Sequence, residues 1–295
     1  MGVLEAEMDD GNEVTHYYHA NADAFGGVLE RPFNLTLPVL AASSLPSVGG
    51  YHSARADNVR VAEMISVKSA YTQVGGTKNH KDGSFTTFVR SVVEDLNIKD
   101  VFHAERIALE LQTEHPPKDH YPTVSFKNTE YRGLRAGDCT FEPQLRLDIC
   151  DRNGGKNYPK NPYLTDSKLL KYAKNQSKKI ADGCSSSEMR KVPVFDRLFQ
   201  RHSGDGPNSG AKIKQRGNVI VSVVDGIVTT GSFAGKTGGH VIDIPGFGRI
   251  YLGELLVHHN SFDLTLLRVE LGCPTQGNVA VAHGSANGSN SGGNR

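Results

Sequence analysis

Apolar and polar residues alternate along most of this chain, and a period of two is the mark of a strand with one buried face. The clearest case is a seven-residue pattern that occurs three times: Val59–Ile65, Leu96–Phe102 and Ile250–Leu256. Each copy reads apolar, polar, apolar, any residue, acid, apolar, apolar, as in Val59-Arg60-Val61-Ala62-Glu63-Met64-Ile65. Recurrence of one pattern implies one β unit used several times. Val61, Ile98 and Leu252, the third position of each copy, are expected in the core.

The same alternation predicts strands in Thr36–Val39, Ala54–Val74, Ser84–Glu114, Val124–Phe126 and Gln144–Ile149. Ile107–Leu111 has helical propensity, but its place matches a β-branched, alternating stretch of the preceding block, so strand is preferred. His16–Val28 is ambiguous between helix and strand. Strands resume at Val219–Val224, His240–Ile244, Arg249–Val257, Phe262–Glu270 and Asn278–Ala282. Between the two β regions the composition changes at Asp151–Gly155. Asp166–Gly183 then reads as a helix, with Thr165 or Asp166 to cap its start and Gly183 at its end. A second short helix is predicted over Val194–Gln200. Residues 1–15 are polar, and the Gly/Ser/Asn-rich stretch 284–295 is expected to be disordered.

These elements predict a mainly β protein, an antiparallel sandwich or short β-stack with repeated strand units and a helical insertion. Residues 1–151 and 218–283 form one β-rich domain, and 152–217 a basic, partly helical insertion. The copies of the pattern are unevenly spaced, which argues against a long regular solenoid. With 295 residues the chain can bury a substantial core without staples.

Charge divides the chain in the same place. The net charge is +1, yet residues 152–216 carry 15 Lys and Arg against 5 Asp and Glu, while the rest carries 18 against 27. A +10 segment is thus set into a −9 body. Its candidate binding residues are Lys171, Lys174, Lys178, Lys179, Arg190 and Lys191. Such a segment meets an anionic partner, or lies solvated near an acidic body, its own or a second copy's. Its aromatics (Tyr158, Tyr163, Tyr172, Phe195, Phe199) are scattered, unlike the interleaving of a single-strand binder.

Other chemistry is thin. Cys139, Cys150, Cys184 and Cys273 form no CxxC and lack zinc spacing; Cys139 and Cys150 flank a predicted strand and are either bridged or free. Gly231–Thr237 resembles a phosphate loop, but it has three residues rather than four before Gly-Lys, and a strand rather than a helix follows. Among twelve histidines, His16 and His19 would share a face of a helix, whereas His258 and His259 would face opposite ways on a strand, so no metal site with Asp263 is expected. The acid of each repeat (Glu63, Asp100, Glu254) is expected to face solvent or cap a β-bend rather than bind calcium or sugar. No GxSxG elbow occurs, and no cofactor is expected.

Met1 is followed by an acidic start with no basic region or long apolar run, so no secretory signal is read there and the chain as written is expected to be cytoplasmic. No stretch of about 18 apolar residues is present to span a membrane.

Ser53–Val59 leading into Met64–Ala70, Ala20–Gly26 before them, and Ile244–Glu254 followed by Leu264–Glu270 form an order that resembles the bacterial choice-of-anchor type of β-rich surface protein. The resemblance covers about 1–130 and 218–283. It implies a non-catalytic β domain displayed at the cell surface, with no catalytic residues to carry over. The chain as written is expected to depart from it in having no signal peptide or sorting segment, and it departs in its basic insertion.

The expected function is accordingly a non-catalytic structural or binding protein, self-assembling as a homo-oligomer through acidic body and basic insertion. The alternatives are a hydrolytic or carbohydrate-active enzyme with a loop His/acid site, and a binder of an anionic polymer such as nucleic acid through the insertion.

Overall fold

The computed structural model describes residues 14–117, 121–151, 162–184, 217–259, 261–272 and 275–291. The expected β architecture is present: two antiparallel sheets face each other across one core. The first sheet contains β1 (Thr15–Arg31), β2 (Leu35–Leu40), β3 (Ser43–Ser44), β12 (Val219–Ser222), β14 (Lys236–Gly238), β15 (Val241–Ile244), β16 (Gly248–Val257), β17 (Ser261–Leu271) and β18 (Gln276–Ser291), in the order β14-β15-β16-β17-β18-β1-β2. β12 joins the free half of β16, and β3 pairs with β1. The second sheet contains β4 (Gly50–Val61), β5 (Ile65–Lys78), β6 (Phe85–Ile98), β7 (Phe102–His115), β8 (Thr123–Ser125), β9 (Glu130–Arg132), β10 (Leu134–Ala136), β11 (Cys139–Leu145) and β13 (Val224–Thr230), in the order β13-β11-β10-β7-β6-β5-β4. β8 and β9 pair with the remaining length of β7.

The alternation that predicted the strands is what fills the core. Val61, Ile98 and Leu252 are all buried, as are Val89, Ile107, Leu109, Ile250, Leu264 and Val281 around them. The first two copies of the repeated pattern are hairpin turns. Ala62 and Glu63 have φ of 48° and 51°, Lys99 and Asp100 of 57° and 52°, and each pair is closed by a bond from the fourth residue to the first (Met64 N to Val61 O, Val101 N to Ile98 O). Two successive left-handed residues match the right-handed twist of the flanking strands. The third copy is no turn but the middle of β16. There Gly253, at φ 63°, lies between the pairs Leu252↔Leu267 and Glu254↔Thr265. The fourth position is therefore left-handed in all three copies.

Several sequence expectations change. Residues 284–291 are the end of β18, paired from Gly284↔Ala22 to Ser291↔Thr15. The small residues that suggested disorder are required by close packing: a Cβ on Gly284 would lie 2.5 Å from Val89 Cγ1. His16–Val28 is strand, so His16 and His19 point to opposite faces, buried and exposed. β11 ends at Leu145, and residues 147–150 turn instead of continuing it. Cys139 and Cys150 are both buried, and no disulfide joins the two. Residues 1–13 and the expected helix at 194–200 lie outside the described residues.

Two helices, α1 (Pro162–Thr165) and α2 (Ser167–Cys184), fall within the basic insertion. Among the described residues no helix is long and apolar enough to cross a membrane.

Candidate functional site

The helix α2 starts where the sequence predicts. Asp166 Oδ1 accepts from the backbone N–H of Lys168 (2.7 Å) and Leu169 (3.1 Å), the geometry of an N-cap. Leu169, Ala173, Gln176, Ile180 and Cys184 recur at helical spacing and are buried. Leu169 and Ala173 join the main core, while Ile180 and Cys184 meet Val241 and Tyr251 on the outer face of the first sheet. Burial pushes the Cys184 thiol up to about 11.

Gln176 and Lys179 fix the helix further. The Gln176 amide bonds the backbone at Ser222 and Val224, where the chain leaves β12 in one sheet and enters β13 in the other. Lys179 Nζ donates to the Asp225 carboxylate (2.7 Å) and to its carbonyl (3.1 Å). One aromatic of the helix, Tyr172, lies under the Arg146 guanidinium at 4.7 Å.

The opposite side of α2 carries Lys168, Lys171, Lys174 and Lys178, all exposed. At about 100° per residue they fall within an arc of about 120°, spread over about 15 Å of helix. Among the described residues none of the four has a carboxylate within ion-pair distance. Asp182 is the exposed acid of the last turn. Of the six residues singled out in the sequence, Lys171, Lys174 and Lys178 are thus brought together. Lys179 is not part of the free row, because Asp225 holds it against the sheet. Arg190 and Lys191 lie outside the described residues. Lys168, which the sequence list lacks, completes the row, and its i, i+3 spacing from Lys171 is the signal that marks it.

Beneath the helix the first sheet buries charge. Arg268 Nε and Nη2 donate to the two Glu254 oxygens at 2.5 and 2.9 Å, and Nη1 donates to Glu270 Oε1. Tyr251 donates to Glu270 Oε2 at 2.9 Å, and its ring lies 3.8 Å from the Arg268 guanidinium carbon. Burial opposes the Arg268 charge, but the two carboxylates hold it well above the usual guanidinium range. This corrects the expectation for Glu254: it is neither solvated nor at a bend, but the largely buried partner of a largely buried arginine. Glu63 and Asp100 do stand exposed in their turns.

The remaining candidates are dispersed. His283 Nδ1 lies 3.0 Å from Asp23 Oδ1 on the outer face of the first sheet. His258 and Asp263 are 4.0 Å apart, and the His259 ring is 5.7 Å from that of Tyr121. Among the described residues no three His, Cys, Asp or Glu side chains are placed to hold a metal. The Gly231–Thr237 stretch is a loop into β14, and no helix follows it. Phe233, Ala234 and Gly235 of this loop line an open cleft of about 460 Å³ with Asp100 and Asp138.

The chain belongs to the family described as a domain of unknown function, DUF8256, whose model matches residues 16–258. That span takes in the second sheet, the lysine-bearing helix and the first sheet as far as β16; β17 and β18 follow it. No curated protein and no solved structure matches the chain.

Proposed function

We propose that this member of the family is a non-catalytic binding protein that takes an anionic polymer on the lysine face of α2. The observation that carries the reading is the two-sidedness of that helix. One side is locked to the sandwich by Gln176, Lys179 and the apolar stripe, while four lysines on the other side have no carboxylate partner among the described residues. A solvated row of like charges on a rigid support gains from neutralisation by closely spaced anionic groups, as on a phosphate backbone. With Tyr172 under Arg146, the contact rests on charge and not on stacking. Binding is therefore tolerant of sequence and sensitive to salt. Display at a cell surface, which the choice-of-anchor resemblance implies, belongs to this reading.

The test replaces Lys168, Lys171, Lys174 and Lys178 with Gln and leaves Lys179 in place. Fluorescence anisotropy with a labelled single-stranded oligonucleotide, competed by polyphosphate, is expected to show binding weaker by about tenfold or more at low salt. The melting temperature should not move, because the four side chains stand in solvent. Equal binding by the variant would overturn the proposal.

A further inference from the structure

The last strand of the second sheet is built unlike the other sheet edges. β4 runs from Gly50 to Val61 and pairs only with β5 among the described residues. Exposed edges invite pairing with another chain, and proteins blunt them with short strands or proline. The other edges follow that rule: β2 is six residues long and contains Pro38, β14 is three residues long, and β13 is seven. β4 has twelve residues and no proline, and only Val61 in it is buried. Tyr51 is 59% exposed, and the nearby Val39 and Val48 are exposed as well.

The charges of β4 select one way of covering this edge. A two-fold axis perpendicular to a sheet keeps each face on its own side. In an antiparallel pair about such an axis, one residue must therefore stand opposite itself. With Arg55 on the axis, two guanidinium groups face each other; with Asp57 on the axis, two carboxylates do. With Ala56 on the axis, Arg55 of each copy stands opposite Asp57 of the other. Directly opposed side chains lie about 5 Å apart at their Cβ atoms, within reach of an ion pair. Arg55 already bonds Asp57 within its own strand, Nε to both oxygens at 2.9 and 3.0 Å, so the two residues share a face. The Ala56 register closes a ring of two arginines and two aspartates. Both neighbouring registers place like charges on the axis, which guards against slippage.

Asn58, at φ 54°, interrupts β4 but does not forbid the ladder. On its other side β4 passes this point without losing register, from Asp57↔Ser69 to Val59↔Val67. Asp95, at φ 50°, is spanned in the same way between Glu94↔Arg106 and Leu96↔Ala104. The facing register about Ala56 then holds from Ala54↔Asn58 to its symmetric equivalent, with the Arg55–Asp57 pairs inside it.

We propose that β4 is a homodimerisation edge, at which two copies pair antiparallel about an axis through Ala56 and join their second sheets into one. This surface is distinct from the lysine face of α2, so either proposal stands or fails without the other.

The test is a charge swap read by sedimentation velocity over a roughly hundredfold concentration range. The wild-type chain is expected to form a dimer and nothing larger. Arg55→Glu or Asp57→Arg alone places like charges opposite each other, and should raise the dimer dissociation constant about tenfold or more. The double variant Arg55→Asp with Asp57→Arg restores opposite pairs and should restore the dimer. Both side chains are exposed, so the variants should fold, and their melting temperatures check this. A wild-type monomer throughout the range would overturn the proposal. So would a mass that keeps growing with concentration, or single variants that dimerise as well as the wild type.

Discussion

Gln176 holds the backbone of Ser222 from both sides: its amide donates to the Ser222 carbonyl at 2.8 Å and its oxygen accepts from the Ser222 N–H at 2.8 Å. The same amide reaches the Val224 carbonyl at 3.0 Å. The Ser222 hydroxyl donates to Leu252 and accepts from Val224 N–H. One helix side chain thus closes the corner where the chain crosses between sheets. Gln176→Leu fills the space but removes three bonds at buried groups, and is expected to cost about 3 kcal/mol in urea unfolding. An unchanged midpoint would show that the corner does not depend on the helix.

Arg268 stands between two carboxylates, Glu254 and Glu270, that lie largely out of solvent. Arg268→Met is expected to cost about 3–5 kcal/mol at neutral pH, because it leaves Glu254 and Glu270 buried without their cation. Denaturant unfolding at neutral pH measures the deficit. An unchanged midpoint would show that the two carboxylates do not depend on the arginine.

His16 and His115 meet in the interior at one end of the sandwich, with ring centroids 4.7 Å apart and His16 stacked on Phe85. Burial, followed by the charge of His16, pushes His115 down to about 3, and burial lowers His16 despite its bond to Asn290. The unfolded chain binds these protons more readily. Stability is therefore full above the ordinary histidine value near 6.5 and is lost as pH falls toward about 3, by on the order of 5 kcal/mol for His115. Unfolding free energies at neutral and mildly acid pH check this. His115→Leu should flatten the dependence, and an unaltered slope would contradict the assignment.

His283 has the opposite sign. Burial lowers its pKa, but the hydrogen bond and charge of Asp23, with the charge of Asp263, raise it on balance. Its pairing stabilises the fold below the ordinary histidine value and is lost as pH rises through the folded one. Asp23→Asn should lower the midpoint of the His283 ring resonance in an NMR titration. An unmoved midpoint would show that Asp23 does not set it.

Alternation identified most strands because one face of each packs into a shared core, and α2 was readable because its apolar stripe and Asp166 cap are local. The polar cluster of Tyr251, Arg268 and Glu270 was not readable in that way. Polar residues of an alternating strand normally face water, but here α2, remote in sequence, brings Ile180 and Cys184 against Tyr251 on that face. The end of β18 was obscured because Gly284 and Gly288 have the composition of a flexible tail, while their small size serves close contact with Val89 and His115 of the other sheet. For the candidate site, helical spacing groups Lys171, Lys174 and Lys178. The capture of Lys179 by Asp225 depends on a strand 46 residues away.

The central claim is that four lysines on α2 meet anionic groups directly. It is tested most directly by the salt dependence of binding to a single-stranded oligonucleotide, wild type against the chain with Lys168, Lys171, Lys174 and Lys178 replaced by Gln. Each phosphate contact contributes about −0.7 to the slope of log affinity against log salt. The account predicts a wild-type slope steeper than that of the variant by about three. Equal slopes and equal affinities would contradict it.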